Sequence, residues 1–325
     1  MRPASSIMDH NSLRKFQRPA ANTRGAVILA GGDGSRLRPL SRLIAGDDRP
    51  KQFCPILGDE TLLDRTRRSA ALSVAAENTF FSLTAKHEQY YDRALWNVAP
   101  AHKLVQPANK GTAPAILYSL LRIAESDPDA TVAFFPSDHF FTDDAAFMAN
   151  VDAAFAAVEM LEGSVVLLGI EPEKAETSYG WIEPVDSLFG GLPGSVSGVK
   201  RFWEKPQARD ARRLLTSGGL WNSFVMIGKI ESFFELFREH LPVMFRMFTA
   251  ALSTSGTRGG AVRSLYEWIE ETNFSSRVLE RAADRLFVKR VAGVGWSDLG
   301  EPQRVIGTLA ALGVEPAWMR TAAAA

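Results

Sequence analysis

Short apolar runs alternate with longer amphipathic stretches along most of this chain, and this alternation constrains the fold more than any other feature. The apolar runs predict strands at Ala26–Ala30, Phe80–Thr84, Lys103–Gln106, Thr131–Phe135, Val165–Ile170 and Trp221–Ile227. The stretches between them predict helices at Leu62–Ala75, Glu88–Val98, Ala113–Glu125, Ala145–Leu161 and Asp210–Ser217. Strands that alternate with helices are typical of a mostly parallel sheet covered by helices on both faces. The predicted class is therefore α/β and Rossmann-like, with ligands at the carboxyl ends of the strands.

The two ends of the chain depart from this alternation. Residues 1–24 are polar and aperiodic, which predicts a flexible tail, whereas residues 25–229 form the predicted α/β core. Consecutive helices are predicted at Glu231–His240, Val243–Leu252 and Ala261–Glu271. We therefore expect residues 230–325 to form a small, mainly helical subdomain that ends in the low-complexity tail Thr321–Ala325.

Composition narrows the class of protein. The 325 residues suffice for one large α/β domain or for a domain plus a small lobe. The 37 basic and 37 acidic residues cancel, so the chain offers no footprint for a nucleic acid. There is no apolar run of about 18 residues and no apolar leader, which predicts a cytoplasmic protein without a membrane partner. The single cysteine, Cys54, excludes an internal disulfide and a cysteine-rich zinc site, and its apolar neighbours predict a core residue.

A glycine-rich loop follows the first predicted strand. It holds Gly31, Gly32 and Gly34 and is followed by Arg36. Glycines let backbone N–H groups approach phosphate oxygens, although a tight turn without a ligand explains the glycines equally well. The loop lacks the Walker A pattern, and a leucine stands where a dinucleotide fingerprint needs its third glycine. The cations Arg36 and Lys51, on either side of a proline-punctuated segment, favour a triphosphate site.

Two carboxylates stand where they can serve a metal. Asp138 follows the strand Thr131–Phe135, and Asp298 lies between glycines in the turn 295–300. Mg²⁺ takes one or two protein carboxylates and shares its other positions with water and phosphates, so the pair predicts a magnesium site. A turn or helix cap is the other interpretation of Asp138. We interpret His139 as a hydrogen-bonded structural residue in preference to a general base.

Later polar residues suit a sugar phosphate. Lys205 can bind a monophosphate as a point charge, and Asn222 carries donors and an acceptor for sugar hydroxyls. Gly180 and Glu183 offer a glycine-flanked backbone and a carboxylate for the same hydroxyls. Each of these residues alone is more typical of a packing or solvated position, and it is their joint occurrence that favours a site.

Eight motifs, taken in order, resemble the sugar-1-phosphate nucleotidyltransferases. They are LAGGDGSRLRPLS, RPKQF, NKGTAPAIL, FFPSDHF, YGWIEP, FWEKP, LWNS and GWSDLG. They run from about Ala26 to Gly300, and their forms are most similar to those of the branch that joins GTP to mannose 1-phosphate.

The resemblance implies a role for each matching residue. It implies nucleotide binding by Gly31, Gly32, Gly34, Asn109, Gly111 and Thr112, catalysis by Arg36, Lys51 and Asp138, Mg²⁺ binding by Asp138 and Asp298, and sugar-phosphate binding by Gly180, Glu183, Lys205 and Asn222. The implied reaction is in-line attack by the sugar phosphate on the α-phosphorus, with release of pyrophosphate. No covalent enzyme intermediate is implied, and the chain shows no convincing nucleophile constellation.

Departures from the motif pattern fall near substrate recognition. Phe224 follows WNS where a glycine is usual, and Ser275 stands where an acidic residue is usual. Arg38 replaces a tryptophan, and an insertion at Leu43–Asp48 predicts a longer loop beside the site. These changes leave open which sugar phosphate is the substrate and, less strongly, which base the nucleotide carries.

Two alternatives to GTP with mannose 1-phosphate therefore stay open. The first is UTP or dTTP with glucose 1-phosphate. The second is a catalytically silent nucleotide-sugar-binding regulator, which we expect to have lost Lys51 or a metal aspartate. The short stretch after the last motif predicts a transferase with one activity, and the expected partners are the two substrates, with a homodimer left open.

Overall fold

The computed structural model describes residues 23–185, 196–253 and 258–319. Of the predicted tail at residues 1–24, residues 1–22 lie outside the described residues, whereas Arg24 begins the first strand; the predicted tail Thr321–Ala325 also lies outside them. The strands are β1 (Arg24–Leu29), β2 (Thr79–Thr84), β3 (Lys103–Gln106), β4 (Thr131–Pro136), β5 (Phe140–Phe141), β6 (Val165–Ile170), β7 (Gly180–Pro184), β8 (Val196–Glu204), β9 (Leu220–Lys229), β10 (Leu286–Val291) and β11 (Trp296–Ser297). The helices are α1 (Arg38–Ala45), α2 (Leu62–Ala70), α3 (Glu88–Ala94), α4 (Thr112–Ala124), α5 (Asp144–Met160), α6 (Ala208–Thr216), α7 (Ile230–His240), α8 (Pro242–Ser253), α9 (Arg258–Trp268), α10 (Phe274–Arg277) and α11 (Pro302–Leu312).

One large mixed sheet organises these elements. Its strand order is β3-β2-β1-β4-β9-β6-β10-β8-β7. Neighbours from β3 to β4 are parallel, and so are β6 and β10, whereas β8 and β9 run against the strands beside them. A second pairing joins β9 to β7, so the sheet bends back on itself around the first residues of β9. Strands β5 and β11 form a separate small ribbon next to the sheet.

Successive side chains of the central strands enter two different hydrophobic cores, as the period of a strand requires. In β4, Phe134 lies in one core with residues of α4, α7 and α8, whereas Phe135 lies in the other with residues of α5. Helices therefore cover both faces of the sheet, which confirms the predicted fold class. A third core joins α1 to α11 around Leu40 and Leu309, with the buried Cys54 among its members.

Each predicted strand and helix is present, and all of them except Lys103–Gln106 and Val165–Ile170 have shifted ends. The predictions ran α2 and α3 too far, because the two helices end at Ala70 and Ala94. The insertion Leu43–Asp48 is helical in its first half, which corrects the expected loop. Pro39 stands in the first turn of α1, and Gly46 ends the helix with φ +76°.

Strand β10 is an element that the apolar pattern did not predict. Lys289 and Arg290 interrupt its apolar run, yet the strand lies inside the sheet between β6 and β8. Because β10 belongs to residues 230–325, the predicted boundary at residue 230 would divide the sheet. The division into a core and a helical subdomain stays a prediction. Within the described ranges, none of the helices is both long and apolar enough to cross a membrane.

Candidate active site

The glycine loop lies at the carboxyl end of β1 and packs against the segment that begins at Lys51. Gly34 has φ +57°, and a Cβ there would lie 3.0 Å from the backbone nitrogen of Lys51. The side chain of Gln52 is buried and donates from Nε2 to the carbonyl oxygens of Ala30, at 3.0 Å, and Gly32, at 2.8 Å. The sequence motifs include Gln52 without assigning it a role, and the structure shows that it holds the loop in place.

The other two glycines of the loop differ in their surroundings. A Cβ on Gly31 would lie 2.8 Å from Oγ1 of Thr84, which also donates a hydrogen bond to the carbonyl of Gly31. A Cβ on Gly32 would have no atom within 4 Å. Gly31 and Gly34 are therefore required by packing and turn geometry, whereas Gly32 leaves backbone open to a ligand.

Lys51 connects the end of β4 to the turn that follows β11. Its Nζ lies 3.2 Å from Oδ2 of Asp138 and donates to the backbone carbonyls of Asp298, at 2.6 Å, and Leu299, at 3.1 Å. The lysine is 7% exposed. One buried cation thus gathers two residues that stand far apart in the sequence, and the structure brings the predicted Lys51, Asp138 and Asp298 together.

The side chain of Asp298 is fixed by neighbours on three sides. Its Oδ1 accepts hydrogen bonds from the hydroxyl of Tyr179 at 3.1 Å, the backbone of Gly300 at 3.0 Å and the guanidinium of Arg304 at 2.7 Å. Burial favours the neutral carboxyl, but the Arg304 hydrogen bond and the positive charges of Arg304 and Lys51 hold the pKa of Asp298 below its ordinary value. The carboxylate is therefore ionised at neutral pH.

Arg304 of α11 is a further functional residue that the motifs did not reveal. Besides Asp298, it contacts Oγ of Ser178 and lies 3.4 Å from a carboxylate oxygen of Glu176. Its guanidinium carbon stands 4.5 Å from the centre of the Tyr179 ring. Sequence spacing from Asp298 gave no signal for this role, because the contact depends on how α11 packs.

His139 is neutral and structural in this arrangement. Its Nδ1 accepts a hydrogen bond from Nε1 of Trp296 at 3.3 Å, and the two rings meet edge to face. Burial lowers the pKa of His139, although the nearby carboxylates of Asp138 and Asp298 act in the opposite direction. This geometry supports the interpretation of His139 as a hydrogen-bonded structural residue.

A polar cleft opens beside these residues. Its lining includes Thr112, His139, Gly180, Glu204, Lys205, Asn222, Phe224, Asn273, Ser275, Trp296 and Asp298. Five predicted site residues, Thr112, Gly180, Lys205, Asn222 and Asp298, thus share one cleft. Both positions at which the sequence departs from the motif pattern after residue 200, Phe224 and Ser275, also line it.

Glu183 does not join the cleft. It stands three residues after Gly180 in β7, so its side chain projects from the opposite face of the strand. Its carboxylate meets Nη2 of Arg213 at 3.3 Å, Nζ of Lys200 at 3.1 Å and Nε1 of Trp203 at 3.1 Å. The structure therefore gives Glu183 a packing role and offers no geometric support for the predicted contact with sugar hydroxyls.

Glu204 supplies a carboxylate at the cleft where Glu183 does not. It precedes Lys205 in the EKP motif, and its Oε2 lies 3.3 Å from the position of a Cβ on Gly180. Burial raises the pKa of the Glu204 carboxyl, although the neighbouring ammonium of Lys205 acts in the opposite direction. The alternation of strand faces was the signal that could have favoured Glu204 over Glu183.

The segment Asn109–Thr112 is tied to the loop before α10. Gly111 has φ +86°, and a Cβ there would lie 2.5 Å from the carbonyl oxygen of Thr272. Oγ1 of Thr112 accepts the backbone N–H of Phe274 at 2.8 Å. Oδ1 of Asn109 accepts the backbone N–H of Gly111 at 3.1 Å, which forms a compact turn at the start of α4.

Arg36 stands at the edge of the site. Its side chain is 64% exposed, and its guanidinium lies 3.7 Å from a carboxylate oxygen of Glu301. An exposed arginine with one distant partner keeps most of its donors free for an incoming anion.

Backbone strain marks the same region. Among the described residues, Lys205 (φ +50°), Phe224 (φ +59°) and Leu299 (φ +44°) are the non-glycine residues with positive φ. Two of them line the cleft, and the third follows Asp298 and binds Lys51 through its carbonyl. Such conformations cost about 1–3 kcal/mol each and cluster at functional sites.

Asp138 and Asp298 are the carboxylates at this site that could hold a metal ion. The part of the chain that the structure describes contains no cluster of three or more His, Cys, Asp or Glu side chains arranged for a metal. The side chain of Asp138 is 32% exposed, and no described residue donates a hydrogen bond to Oδ2 of Asp298. A pair of carboxylates fits Mg²⁺, which completes its shell with water and phosphate oxygens.

Comparisons with known proteins indicate the family of this chain. Residues 25–312 match the family described as nucleotidyl transferase. The xanthan biosynthesis protein XanB of Xanthomonas campestris is 32% identical over 285 residues, which cover 84% of this chain and 57% of that protein. The mannose-1-phosphate guanylyltransferase of Escherichia coli is 30% identical over 282 residues, with coverage of 84% and 57%. The chain thus spans little more than half the length of these relatives.

Solved structures show the same fold. A crystal structure of mannose-1-phosphate geranyltransferase from Thermus thermophilus has a TM-score of 0.74 at 29% identity, covering 86% of this chain and 76% of that one. UDP-glucose pyrophosphorylase complexed with UDP-glucose, at 16% identity and a TM-score of 0.54, shares the fold alone. The family match spans every element from β1 to α11, including the glycine loop, Lys51 and both aspartates. The chain therefore belongs to the nucleotidyl transferase family.

Proposed function

We propose that this chain transfers the guanylyl group of GTP to mannose 1-phosphate, forming GDP-mannose and pyrophosphate. The observation that carries the proposal is the meeting of Lys51, Asp138 and Asp298 beside the glycine loop, with Lys51 Nζ 3.2 Å from Asp138. A cation, two carboxylates and free backbone N–H groups are what a triphosphate with a divalent ion requires.

The choice of substrates rests on the motifs and on the relatives. The PKQF, PSDH and GWSD forms favour the guanylyl branch. The Escherichia coli relative is named mannose-1-phosphate guanylyltransferase, and it is 30% identical to this chain.

The reaction is a direct displacement. A phosphate oxygen of mannose 1-phosphate forms a bond to the α-phosphorus of GTP, and the bond from that phosphorus to the bridging oxygen breaks. The electron pair leaves with pyrophosphate, so no protein nucleophile is needed. Catalysis then comes from positioning and from neutralisation of charge on the phosphates.

Lys51 is the main source of that neutralisation within the protein. An ammonium has three N–H donors, and Lys51 already faces three oxygens at 2.6, 3.1 and 3.2 Å. Entry of the triphosphate must therefore exchange at least one of these contacts for a phosphate oxygen. Asp138 is the partner best able to give up its contact with Lys51, because a bound metal ion would take over its carboxylate.

Asp138 and Oδ2 of Asp298 would hold Mg²⁺. When bound, this ion would neutralise phosphate charge and orient the triphosphate. Arg304, Tyr179 and Gly300 keep Oδ1 of Asp298 occupied, which leaves Oδ2 as the oxygen that would bind the ion.

The far end of the cleft suits the sugar phosphate. Lys205 is 61% exposed at its side chain and offers its ammonium to the phosphate. Asn222 and Glu204 offer an amide and a carboxylate to the sugar hydroxyls.

An activity screen tests the proposal. GTP, UTP, dTTP and ATP are each combined with mannose 1-phosphate and with glucose 1-phosphate in the presence of Mg²⁺, and pyrophosphate release is measured. We expect GTP with mannose 1-phosphate to give the highest kcat/KM. Turnover confined to UTP or dTTP would overturn the substrates and keep the reaction class, whereas nucleotide binding without any turnover would favour the silent regulator.

A further inference from the structure

A β-bulge in β9 shapes the wall of the cleft. Met226 pairs with Leu167 of β6, and Asn222 pairs with Gly169. Between these pairs β6 contributes only Leu168, whereas β9 contributes three residues. A bulge of this kind bends the strand and redirects a side chain, and bulges are frequent next to active sites.

Side chains of the strand itself stabilise the bulge. Oγ of Ser223 donates to the carbonyl of Leu168 at 2.6 Å and accepts the backbone N–H of Val225 at 3.2 Å. Oδ1 of Asn222 accepts the backbone N–H of Phe224 at 3.1 Å. The N–H groups of Phe224 and Val225 are therefore satisfied, and the bulge is a defined part of the fold.

Phe224, at the centre of this bulge, has a strained backbone conformation. Its φ of +59° is in the left-handed region, which a bulky side chain rarely adopts. The ring is half-buried, packs against one of the two sheet cores and lines the cleft beside Asn222 and Lys205. Phe224 is strained, is held by a hydrogen-bonded bulge and lies at the cleft. Such strain indicates a functional reason for the residue.

We propose that Phe224 determines the specificity of the sugar subsite and restricts it to hexose 1-phosphates that carry no N-acetylamino group. This inference rests on the proposed function and specifies the substrate class of the same site. The ring lines the cleft beside Asn222, which is proposed to bind the sugar hydroxyls, so it would meet a large substituent on that side of the sugar. It also offers no hydrogen-bond partner, so an amide N–H and C=O placed against it would lose water without compensation.

The rest of the cleft agrees with a sugar that bears only hydroxyl groups. Asn222, Ser275 and Glu204 are compact hydrogen-bonding side chains that suit hydroxyls.

The test compares two ligands that differ only at one ring carbon. Dissociation constants of mannose 1-phosphate and N-acetylmannosamine 1-phosphate are measured by titration calorimetry with the full chain. For the unaltered protein we expect a preference of about tenfold or more for mannose 1-phosphate. Phe224→Gly removes the ring and suits the positive φ, so it should fold and reduce the preference to about threefold or less.

Two further variants separate specificity from packing. Phe224→Leu keeps an apolar wall and should retain most of the preference. Phe245→Ala, at a half-buried phenylalanine of α8 that packs against the same core, should lower the melting temperature and leave the preference unchanged. An unchanged preference in Phe224→Gly, or equal binding of both ligands by the unaltered protein, would overturn the inference. Absence of mannose 1-phosphate binding would instead refute the proposed function, and this inference with it.

Discussion

At the scale of single residues, the two lysines proposed to bind the substrates differ in burial. Lys51 is buried and bound to three oxygens, whereas Lys205 has a side chain that is 61% exposed. A cation that stabilises the charge developing on the breaking bond in the transition state affects kcat. A cation that binds the phosphate equally in the ground state and the transition state affects KM.

We therefore expect Lys51→Met to lower kcat by about 10²–10³-fold, with a smaller change in KM. Lys205→Ala should raise the KM for the sugar phosphate and leave kcat nearly unchanged. Steady-state kinetics of both variants, with circular dichroism to check folding, provide the measurement. Wild-type kinetics in Lys205→Ala would remove this residue from the sugar-phosphate site.

His139 gives the stability of the protein a defined pH dependence. Burial lowers the pKa of His139 from the ordinary value of 6.5, and burial lowers that of His87 as well. As the pH falls below 6.5, the unfolded chain takes up protons before the folded chain does, so the free energy of unfolding decreases. We expect the urea concentration at the midpoint of unfolding to decrease as the pH is lowered from about 7.5 to about 5.5. His139→Asn keeps an acceptor for Trp296 and should make the urea midpoint depend less steeply on pH. An unchanged dependence on pH would show that His139 does not contribute to it.

At the scale of elements, the loop after β1 contains a matched pair of glycines. Gly34 has positive φ and would bring a Cβ to 3.0 Å from the nitrogen of Lys51, whereas a Cβ on Gly32 meets nothing within 4 Å. Gly34→Ala should destabilise the protein by about 1–2 kcal/mol. Gly32→Ala should leave stability within about 0.5 kcal/mol of the original and raise the KM for GTP, because the methyl group obstructs the phosphates.

Urea unfolding and kinetics on both variants separate packing from ligand contact. A stable Gly32→Ala variant with unchanged KM for GTP would show that the phosphates do not rest on this loop. Loss of stability in both variants would assign the glycines to turn geometry alone.

The same scale shows which features the sequence could predict. Apolar runs such as Val165–Ile170 are buried on both faces of the sheet, so their pattern identified strands with accurate ends. Strand β10 escaped prediction because the charged residues Lys289 and Arg290 interrupt its apolar run, although Lys289 is only 6% exposed in the fold. Motif order located Lys51, Asp138 and Asp298, but motif order does not specify strand faces. It therefore selected Glu183, where the geometry favours Glu204, and it gave no signal for Arg304.

At the scale of the whole molecule, the sheet takes strands from both halves of the sequence. β10 pairs with β6 over residues 286–291 and separates β6 from β8. Lys51 and Arg304 add contacts between the glycine loop, the turn at Asp298 and α11. The candidate site is complete only when residues on both sides of position 230 are folded together.

This connectivity predicts that the chain unfolds in one cooperative step, despite the helical character of residues 230–253. Loss of β10 would expose unpaired edges on β6 and β8, so residues 25–229 cannot keep their sheet once the later residues unfold. We expect urea transitions followed by far-ultraviolet circular dichroism and by tryptophan fluorescence to coincide, since Trp221 and Trp296 pack against each other with ring centres 6.1 Å apart although they lie on opposite sides of residue 230. Two separate transitions would support an independent subdomain that begins near residue 230. A single transition would instead make β10 and the turn at Asp298 part of the same folding unit as the glycine loop.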